Sequence, residues 1–292
     1  MQKIKKIAKF LFLFILSLST SCYFFMNILD GDLIKFESFN TLALEEEKEE
    51  EYLQKVLEII VNKDDNLKTL FQEEDETVVP VFEDDEPKEV LEPLIYIYST
   101  HQTEQYQAIK GSTSSVEFGV YEASLILKQL LEEAGIGVIV EEKNIMNTLN
   151  EREWDYSYTY RISREFMEQQ KKDNPSLKIF IDLHRDSVKK EYSTVTINEK
   201  NYAKIMFLVG KNRDNLDANL TYIKDLESYL NQNYSGILRS TYYREEYDYN
   251  QDFSDMTFLI ELGSDSNSLD EVYNSLYALK DAISNFVKEE LV

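Results

Sequence analysis

Two histidines stand where apolar, strand-like segments end, and each has acidic neighbours. His101 follows "LIYIYST", with Glu104 three residues later, and His184 ends "LKIFIDLH"; the chain contains these two histidines and no others. Two neutral imidazoles and one carboxylate, with a fourth position open to water, are the ligand set of a hydrolytic zinc site. Nitrogen and oxygen ligands without a thiolate also favour zinc over softer metals. The sequence therefore predicts a Zn²⁺ site formed by His101, Glu104 and His184.

A carboxylate near the end of a further apolar segment is a candidate general base. Glu261 lies between "FLI" and "LG" in "MTFLIELGS". Burial raises the pKa of a carboxyl group, and a raised pKa suits a base that works near neutral pH. We predict that Glu261 takes a proton from the attacking water and delivers it to the departing amine. A structural ion pair is the alternative interpretation.

The residues around His184, "IDLHRDS", are unusually charged for the end of a buried strand. Charged groups at such a place are costly when their role is purely structural. Asp182 and Asp186 would orient the imidazole of His184, or else belong to an ordinary solvated loop. Arg185 would bind a developing oxyanion or a substrate carboxylate, or else form a surface ion pair. We predict a catalytic role for Arg185.

Beyond Pro93, strand-like segments alternate with amphipathic helices. The predicted helices are "GVYEASLILKQLLEEAG" with a C-cap at Gly135, "RISREFMEQQKKDNPS", "NLTYIKDLESYLNQNY" and "SLDEVYNSLYALKDAISNFVKEEL". A hairpin is predicted in "TVTINEKNYAKIMFLVG", because polar "NEK" separates two alternating runs. The alternation predicts an α/β fold, an open, mostly parallel sheet with helices on both faces. Ligands of such sheets bind beyond the carboxyl ends of the strands, so His101, His184 and Glu261 should converge on one edge.

Composition excludes several classes of protein. A hydrophobic content of 43% is ample for a packed core, which argues against a disordered chain. A net charge of −24 argues against nucleic acid as a partner, because phosphate requires a basic surface. The single Cys22 excludes a disulfide framework within the chain.

The N-terminal segment, residues 1–29, predicts a single-pass membrane anchor. A lysine cluster precedes the uncharged run Phe10–Leu29, which is about long enough to cross a bilayer as a helix. The lysines should stay in the cytoplasm, which places the rest of the chain outside it. A cleaved signal peptide normally has a shorter apolar core, so a retained anchor is preferred. The "LSTSC" sequence that ends at Cys22 also leaves lipidation open as the means of tethering.

Residues 30–92 predict a juxtamembrane helix followed by an acidic stalk. An apolar stripe at helical spacing occupies the first part, and acidic residues with prolines such as Pro80 and Pro87 follow it. This segment is either a solvated spacer or a docking segment for a membrane partner. The predicted catalytic domain then spans residues 93–292.

The motifs "LIYIYSTHQTEQY", "IDLHRDS", "YNQDFSD" and "LIELGSDSNSLDE" together resemble, in the same order, those of the stage II sporulation protein P family. The resemblance covers roughly residues 93 to 292. It implies a zinc-dependent N-acetylmuramoyl-L-alanine amidase that acts on peptidoglycan during engulfment in sporulation, with added endopeptidase activity on stem cross-links. It also implies a complex with stage II sporulation proteins D and M in the intermembrane space between forespore and mother cell.

The resemblance also bears on individual residues. In zinc amidases with this sheet topology the ligand carboxylate lies at the start of the first helix, close to the position of Glu117. The sporulation family resembles the His-x-x-Glu arrangement of His101 and Glu104, so we predict Glu104 as the third ligand. The match further implies that Asn250, Gln251 and Asp252 line the substrate cleft.

Two other functions compete with the amidase interpretation. A membrane-tethered scaffold or wall-binding module would have no catalysis and no bound metal. An unrelated zinc peptidase of the His-x-x-Glu type would cut protein substrates and leave muropeptides intact. The strong negative charge further predicts that activity depends on a partner that brings in the glycan strand, because wall polymers are anionic.

Overall fold

A computed structural model describes residues 91–107, 109–110, 115–116 and 118–291 of the chain. In chain order the strands are β1 (Pro93–Tyr98), β2 (Ile109–Lys110), β3 (Ser115–Val116), β4 (Gly137–Val140), β5 (Ile179–Asp186), β6 (Thr194–Ile197), β7 (Lys200–Ala203), β8 (Ile205–Gly210), β9 (Tyr242–Arg244) and β10 (Thr257–Ser264). The helices are α1 (Val120–Glu133), α2 (Ile145–Arg152), α3 (Thr159–Asp173), α4 (Lys190–Ser193), α5 (Leu216–Asn233) and α6 (Leu269–Glu290). A short 3₁₀ turn, Tyr156–Tyr158, precedes α3.

The main sheet has the strand order β4-β1-β5-β10-β8-β9. The pairs β4–β1, β1–β5, β5–β10 and β8–β9 are parallel, and β10–β8 is antiparallel. The predicted α/β fold with an open, mostly parallel sheet is therefore confirmed. Because β1, β5 and β10 are adjacent and parallel, their carboxyl ends lie at one edge of the sheet.

Side chains on both faces of the central strands are buried. On one face, Tyr96 and Tyr98 of β1 form a cluster with Phe180 of β5 and Met167 of α3. Neighbouring residues of a strand point to opposite faces, so the fully buried Ile95 lies on the other face. Helix α1 contacts β1 and also packs against α6. Burial on both faces is what a sheet between helices requires.

The structure bears on two local predictions, the end of α1 at Gly135 and the hairpin. Gly135 follows α1 with φ +82, the left-handed conformation of a residue just past a helix, as its sequence position predicts. The hairpin in the structure is shorter than the predicted one. Strands β6 and β7 pair with each other, whereas the following strand β8 pairs with β10 in the main sheet. The hairpin turn has positive φ at Asn198 and Glu199, which matches a tight turn of the primed type.

The predicted anchor, the juxtamembrane helix and most of the acidic stalk lie outside the described residues, as do Cys22 and Glu117. Among the helices in the described part of the chain, none has the length and apolar character needed to cross a membrane.

Candidate metal centre

A tight turn after β1 carries His101 and Glu104. The Glu104 main-chain N–H donates to the carbonyl of His101 at 3.0 Å, which closes the turn, and the Glu104 carbonyl accepts from Val120 N at the start of α1. Gly119 packs so closely on this turn that a Cβ atom there would lie 2.8 Å from the Glu104 carbonyl oxygen. The turn is therefore fixed between the end of β1 and the first turn of α1.

His184 reaches the same place from the neighbouring strand. It lies near the carboxyl end of β5, and its side chain is 3% exposed. Its Nδ1 atom is 3.4 Å from Glu104 Oε2, and Glu104 Oε1 is 3.2 Å from His101 Nδ1. The Glu104 carboxylate thus lies between the two imidazoles, whose ring centroids are 5.0 Å apart.

The distances within this group are short enough for the three residues to share a metal ion. One potential ligand atom from each of His101, Glu104 and His184 lies within 4.8 Å of the other two. Zinc binds nitrogen and oxygen at about 2.0–2.2 Å, so ligand atoms around a tetrahedral ion are about 3.3–3.5 Å apart. The separation is 3.2 Å from His101 Nδ1 to Glu104 Oε1 and 3.4 Å from His184 Nδ1 to the other carboxylate oxygen, Oε2. The three residues predicted as ligands are therefore close enough together to share one metal ion.

Asp182 supports His184 from within the sheet. Its Oδ1 atom is 2.9 Å from His184 Nε2, a short ion-pair contact that is not aligned as a hydrogen bond. Thr100 holds the same carboxylate, because its main-chain N–H donates to Oδ1 at 2.8 Å and its hydroxyl donates to Oδ2 at 2.7 Å. Asp182 is buried and fixed, which suits a group that orients the imidazole and leaves Nδ1 toward Glu104.

The ionisable groups of the site are strongly coupled. Burial by itself would raise the pKa of the Glu104 carboxyl, but hydrogen bonds with His101 and His184 outweigh it and lower that pKa to about 2. Burial would lower the pKa of His184, but the charges of Asp182 and Glu104 outweigh it and raise that pKa well above its usual range. Metal binding requires a neutral imidazole, so binding of a cation at His184 is coupled to the protonation of this group.

Glu261 lies beside this group on β10. Its Cα atom pairs with that of His184 in the β5–β10 register. Burial is the main cause that raises the pKa of the Glu261 carboxyl to about 7. Its Oε2 atom is buried without a hydrogen-bond partner among the described residues. A carboxyl group in this state can accept a proton near neutral pH, which suits the predicted general base.

Arg185 and Asp186 have mainly structural contacts. The Arg185 main-chain N–H donates to Glu104 Oε2 at 2.9 Å, and its Nε donates to the carbonyl of Gln105 at 2.8 Å. Arg185 thereby fastens the Glu104 turn to β5. Asp186 forms a 2.6 Å ion pair with Arg239 rather than a contact with His184. The role of Arg185 toward a substrate stays a prediction.

Two of the residues expected to line the cleft form hydrogen bonds within the fold. Gln251 is 0% exposed, and its amide group donates to Leu208 O and accepts from Gly210 N of β8. The buried Asn250 side chain donates to the carbonyl of Tyr160. These bonds hold both side chains in place within the fold, and a contact of either residue with substrate stays a prediction. Asp252 is exposed and pairs with Arg164 at 2.7 Å.

Sequence reasoning missed the tyrosines around His101. Tyr156 stacks on the His101 ring at a centroid distance of 5.2 Å, and Tyr160 meets it edge-on at 5.7 Å. The tyrosine-rich segment "YSYTY" was the available signal. Nothing in that segment indicated that it would pack against a histidine more than fifty residues earlier in the chain.

Comparisons with known proteins agree with the motifs. Stage II sporulation protein P of Bacillus subtilis (strain 168) is 32% identical over 212 residues, which cover 68% of this chain and 53% of that protein. This chain therefore matches about half the length of that relative.

Two solved structures illustrate the structural comparison. The N-acetylmuramoyl-L-alanine amidase AmiC2 of Nostoc punctiforme is 12% identical with a TM-score of 0.40, over 68% of this chain and 97% of that one. The CwlD amidase of Clostridioides difficile, in complex with the GerS lipoprotein, is 12% identical with a TM-score of 0.44, over 68% and 100%. The family model for stage II sporulation protein P matches residues 18–284, a range that includes every residue of the metal centre. The chain belongs to the stage II sporulation protein P family.

Proposed function

We propose that this chain is a zinc-dependent N-acetylmuramoyl-L-alanine amidase, which cleaves the amide bond between N-acetylmuramic acid and the L-alanine of the stem peptide. One observation carries the proposal: ligand atoms of His101, Glu104 and His184 lie within 4.8 Å of one another, beside the half-buried Glu261 on the neighbouring strand. A metal site with an adjacent base is the arrangement that amide hydrolysis requires. Membership of the family supports the choice of substrate.

The chain's own residues have separate roles in this proposal. His101, Glu104 and His184 would hold Zn²⁺, which supplies Lewis acidity toward a carbonyl oxygen and a water molecule. Glu261 accepts the proton from the attacking water at Oε2, which has no hydrogen-bond partner among the described residues, and gives it to the amine that departs. Asp182 keeps His184 in the orientation that turns Nδ1 toward the metal position.

The cellular setting is part of the same proposal. The lysine cluster and the apolar run Phe10–Leu29 support a single-pass anchor with the catalytic domain outside the cytoplasm. The family resemblance supports action during engulfment, together with stage II sporulation proteins D and M, and a second, endopeptidase activity. Tethering would keep an enzyme of net charge −24 near a wall whose polymers are also anionic.

Mass spectrometry of purified sacculi digested with the zinc-loaded chain tests the proposal. Amidase action releases free stem peptides and leaves glycan chains without peptide substituents. His184→Ala should abolish this release, because the metal loses a buried ligand. Endopeptidase action would instead divide cross-links and leave stems attached to glycan.

The competing functions give different results in that assay. A zinc peptidase of protein substrates would leave the muropeptides intact while a protein substrate is cut. A scaffold would bind no zinc, and both the wild-type chain and His184→Ala would leave the sacculi unchanged. Muropeptides that stay intact in the presence of bound zinc would overturn the amidase proposal.

A further inference from the structure

Tyrosine rings form a continuous path that leads away from the metal centre. Tyr160 contacts His101 at a centroid distance of 5.7 Å, Tyr249 contacts Tyr160 at 5.4 Å, and Tyr247 contacts Tyr249 at 5.4 Å. Tyr156 stacks on His101 at 5.2 Å. We call Tyr156, Tyr160, Tyr249 and Tyr247 the tyrosine track.

The track is open to solvent at its ends. Tyr247 is 55% exposed and Tyr156 is 47% exposed, whereas Tyr160 and Tyr249 are half-buried between them. Scattered exposed aromatic residues are normal on a protein surface, but a contiguous aromatic surface beside a reactive centre indicates a binding site. Tyrosine suits this use because its ring is rigid and its hydroxyl remains hydrated.

The main chain that presents Tyr249 is strained. Tyr249 has φ +52 and Asn250 has φ +58, and the left-handed conformation is uncommon for a bulky residue such as tyrosine. Asn250 holds the segment in place, because its side chain donates to Tyr160 O and Ser163 Oγ of α3. Such strain persists only where surrounding contacts impose it, so the main chain at Tyr249 is held in a fixed conformation.

The loop that carries Tyr247 and Tyr249 also packs against β8 of the main sheet. A Cβ atom at Gly210 would lie 2.3 Å from the Tyr247 carbonyl oxygen, so only glycine allows the loop to approach β8 this closely. Asn212 N donates to the same carbonyl at 3.2 Å, and Gln251 bonds to the β8 main chain. The tyrosine track is thus organised before any ligand arrives, which lowers the entropy lost on binding.

Charge limits the class of ligand that this surface can take. The loop contains the acidic residues Glu245, Glu246 and Asp248, of which Glu245 pairs with Lys211 at 2.7 Å, and Arg244 lies over the Tyr242 ring. The loop therefore offers anionic wall polymers and the free carboxylates of a stem peptide no net positive charge. A neutral sugar ring presents C–H groups that pack on an aromatic face, and its hydroxyls donate to phenol and carboxylate oxygens.

We propose that the tyrosine track binds the neutral sugar rings of the glycan strand that carries the amide bond to be cleaved. The inference rests on the proposed function for the identity of the bond. The track begins at His101 and extends to the exposed Tyr247, so a strand bound along it would run from the metal centre to the surface. It would thereby select glycan-attached peptides over free ones.

Calorimetric titration of the zinc-loaded chain tests this inference with two probes, a chitin oligosaccharide and a free stem peptide. The oligosaccharide should bind, and Tyr247→Ala should weaken its affinity about three- to tenfold, the loss expected for one aromatic contact. Tyr247→Phe should keep most of the affinity, because the ring remains. Tyr192→Ala is the matched control, since Tyr192 is 60% exposed and belongs to none of the ring contacts of the track.

Each outcome decides the inference. An oligosaccharide that wild type does not bind, or an affinity that Tyr247→Ala leaves unchanged, overturns it. Weakened binding of the stem peptide alone also overturns it and assigns the track to peptide. Oligosaccharide binding that depends on Tyr247 in a chain that leaves sacculi uncut would support the track and refute the amidase proposal separately.

Discussion

Glu261 pairs with His184 across the β5–β10 ladder, Cα opposite Cα. Paired residues of parallel strands point to the same face of the sheet, so the carboxyl of Glu261 and the imidazole of His184 share one face. Main-chain hydrogen bonds fix this arrangement, and no flexible loop takes part. The candidate base and the most deeply buried candidate ligand therefore have a constant relation to each other.

Glu261→Gln should abolish hydrolysis while zinc stays bound. The amide has nearly the same shape as the carboxyl but cannot accept the proton, and loss of a general base typically lowers kcat about 10²- to 10⁴-fold. Release of stem peptides from sacculi gives the rate, and elemental analysis gives the zinc content. Glu168→Gln, at an exposed carboxyl of α3, is the control. An unchanged rate in Glu261→Gln would remove Glu261 from the mechanism.

The choice between Glu104 and Glu117 as the third ligand can be tested directly. Glu104→Gln should lose zinc, because a neutral amide replaces the carboxylate between the two imidazoles. Glu117→Gln should retain it. Zinc content after dialysis, with circular dichroism to verify folding, separates the two. Retention by the first variant and loss by the second would reverse the assignment.

Asp182→Asn should weaken zinc binding without preventing folding. Asparagine can still accept a hydrogen bond from Thr100, but it removes the charge beside His184 Nε2. Loss of such a supporting partner typically lowers metal affinity about 10- to 100-fold. Competition with a fluorescent chelator measures the affinity. Asp186→Asn, whose carboxyl pairs with Arg239 instead, should leave it unchanged.

Gly119→Ala should also weaken zinc binding, through the main chain. The added Cβ would lie 2.8 Å from the Glu104 carbonyl oxygen, so the turn that carries Glu104 has to move. Gly135→Ala is the matched glycine control. At φ +82, with no atom near its Cβ position, it should cost stability of about 1 kcal/mol and leave the zinc affinity intact. Equal zinc affinities for wild type and Gly119→Ala would show that the turn can adapt.

Glu271 should make the stability of the fold depend on pH. Burial would raise the pKa of the Glu271 carboxyl, but hydrogen bonds from Ser268 and Lys190 outweigh it and lower that pKa. A lowered folded-state pKa gives stability that is present above the unfolded pKa of about 4.3 and is lost as the pH falls through the folded value.

Glu271→Gln should therefore lower the free energy of unfolding by about 1–2 kcal/mol near neutral pH. The difference from wild type should shrink as the solution is acidified. Urea unfolding at several pH values measures it, with Glu289→Gln at the exposed end of α6 as control. A constant difference at every pH would mean that packing rather than charge is responsible.

The sequence predicted the elements better than their pairing. Alternating apolar residues identified β1, β5 and β10, because periodicity is a local property of the chain. The direction and partner of β8 depend on contacts with β10, fifty residues later in the chain, and local patterns do not contain that information. This is why the predicted hairpin ran on into the main sheet.

The same distinction applies to the site. His101, His184 and Glu261 could be placed together because all three lie near the carboxyl ends of strands in a parallel sheet. The family resemblance predicts Gln251 as a cleft residue. Its burial follows from hydrogen bonds to β8, which only the folded chain reveals. Tyr160 was missed for a similar reason, since its contact with His101 joins α3 to a distant turn.

The chain separation between the turn of Glu104 and the strand of His184 has a thermodynamic consequence. In the unfolded polypeptide these donors are about eighty residues apart, so high affinity for a cation arises only after β1 and β5 have aligned. An ion at this position would act as a cross-link between the two strands. Loading with zinc should accordingly raise the melting temperature, and a chelator should reduce the resistance of the sheet to unfolding.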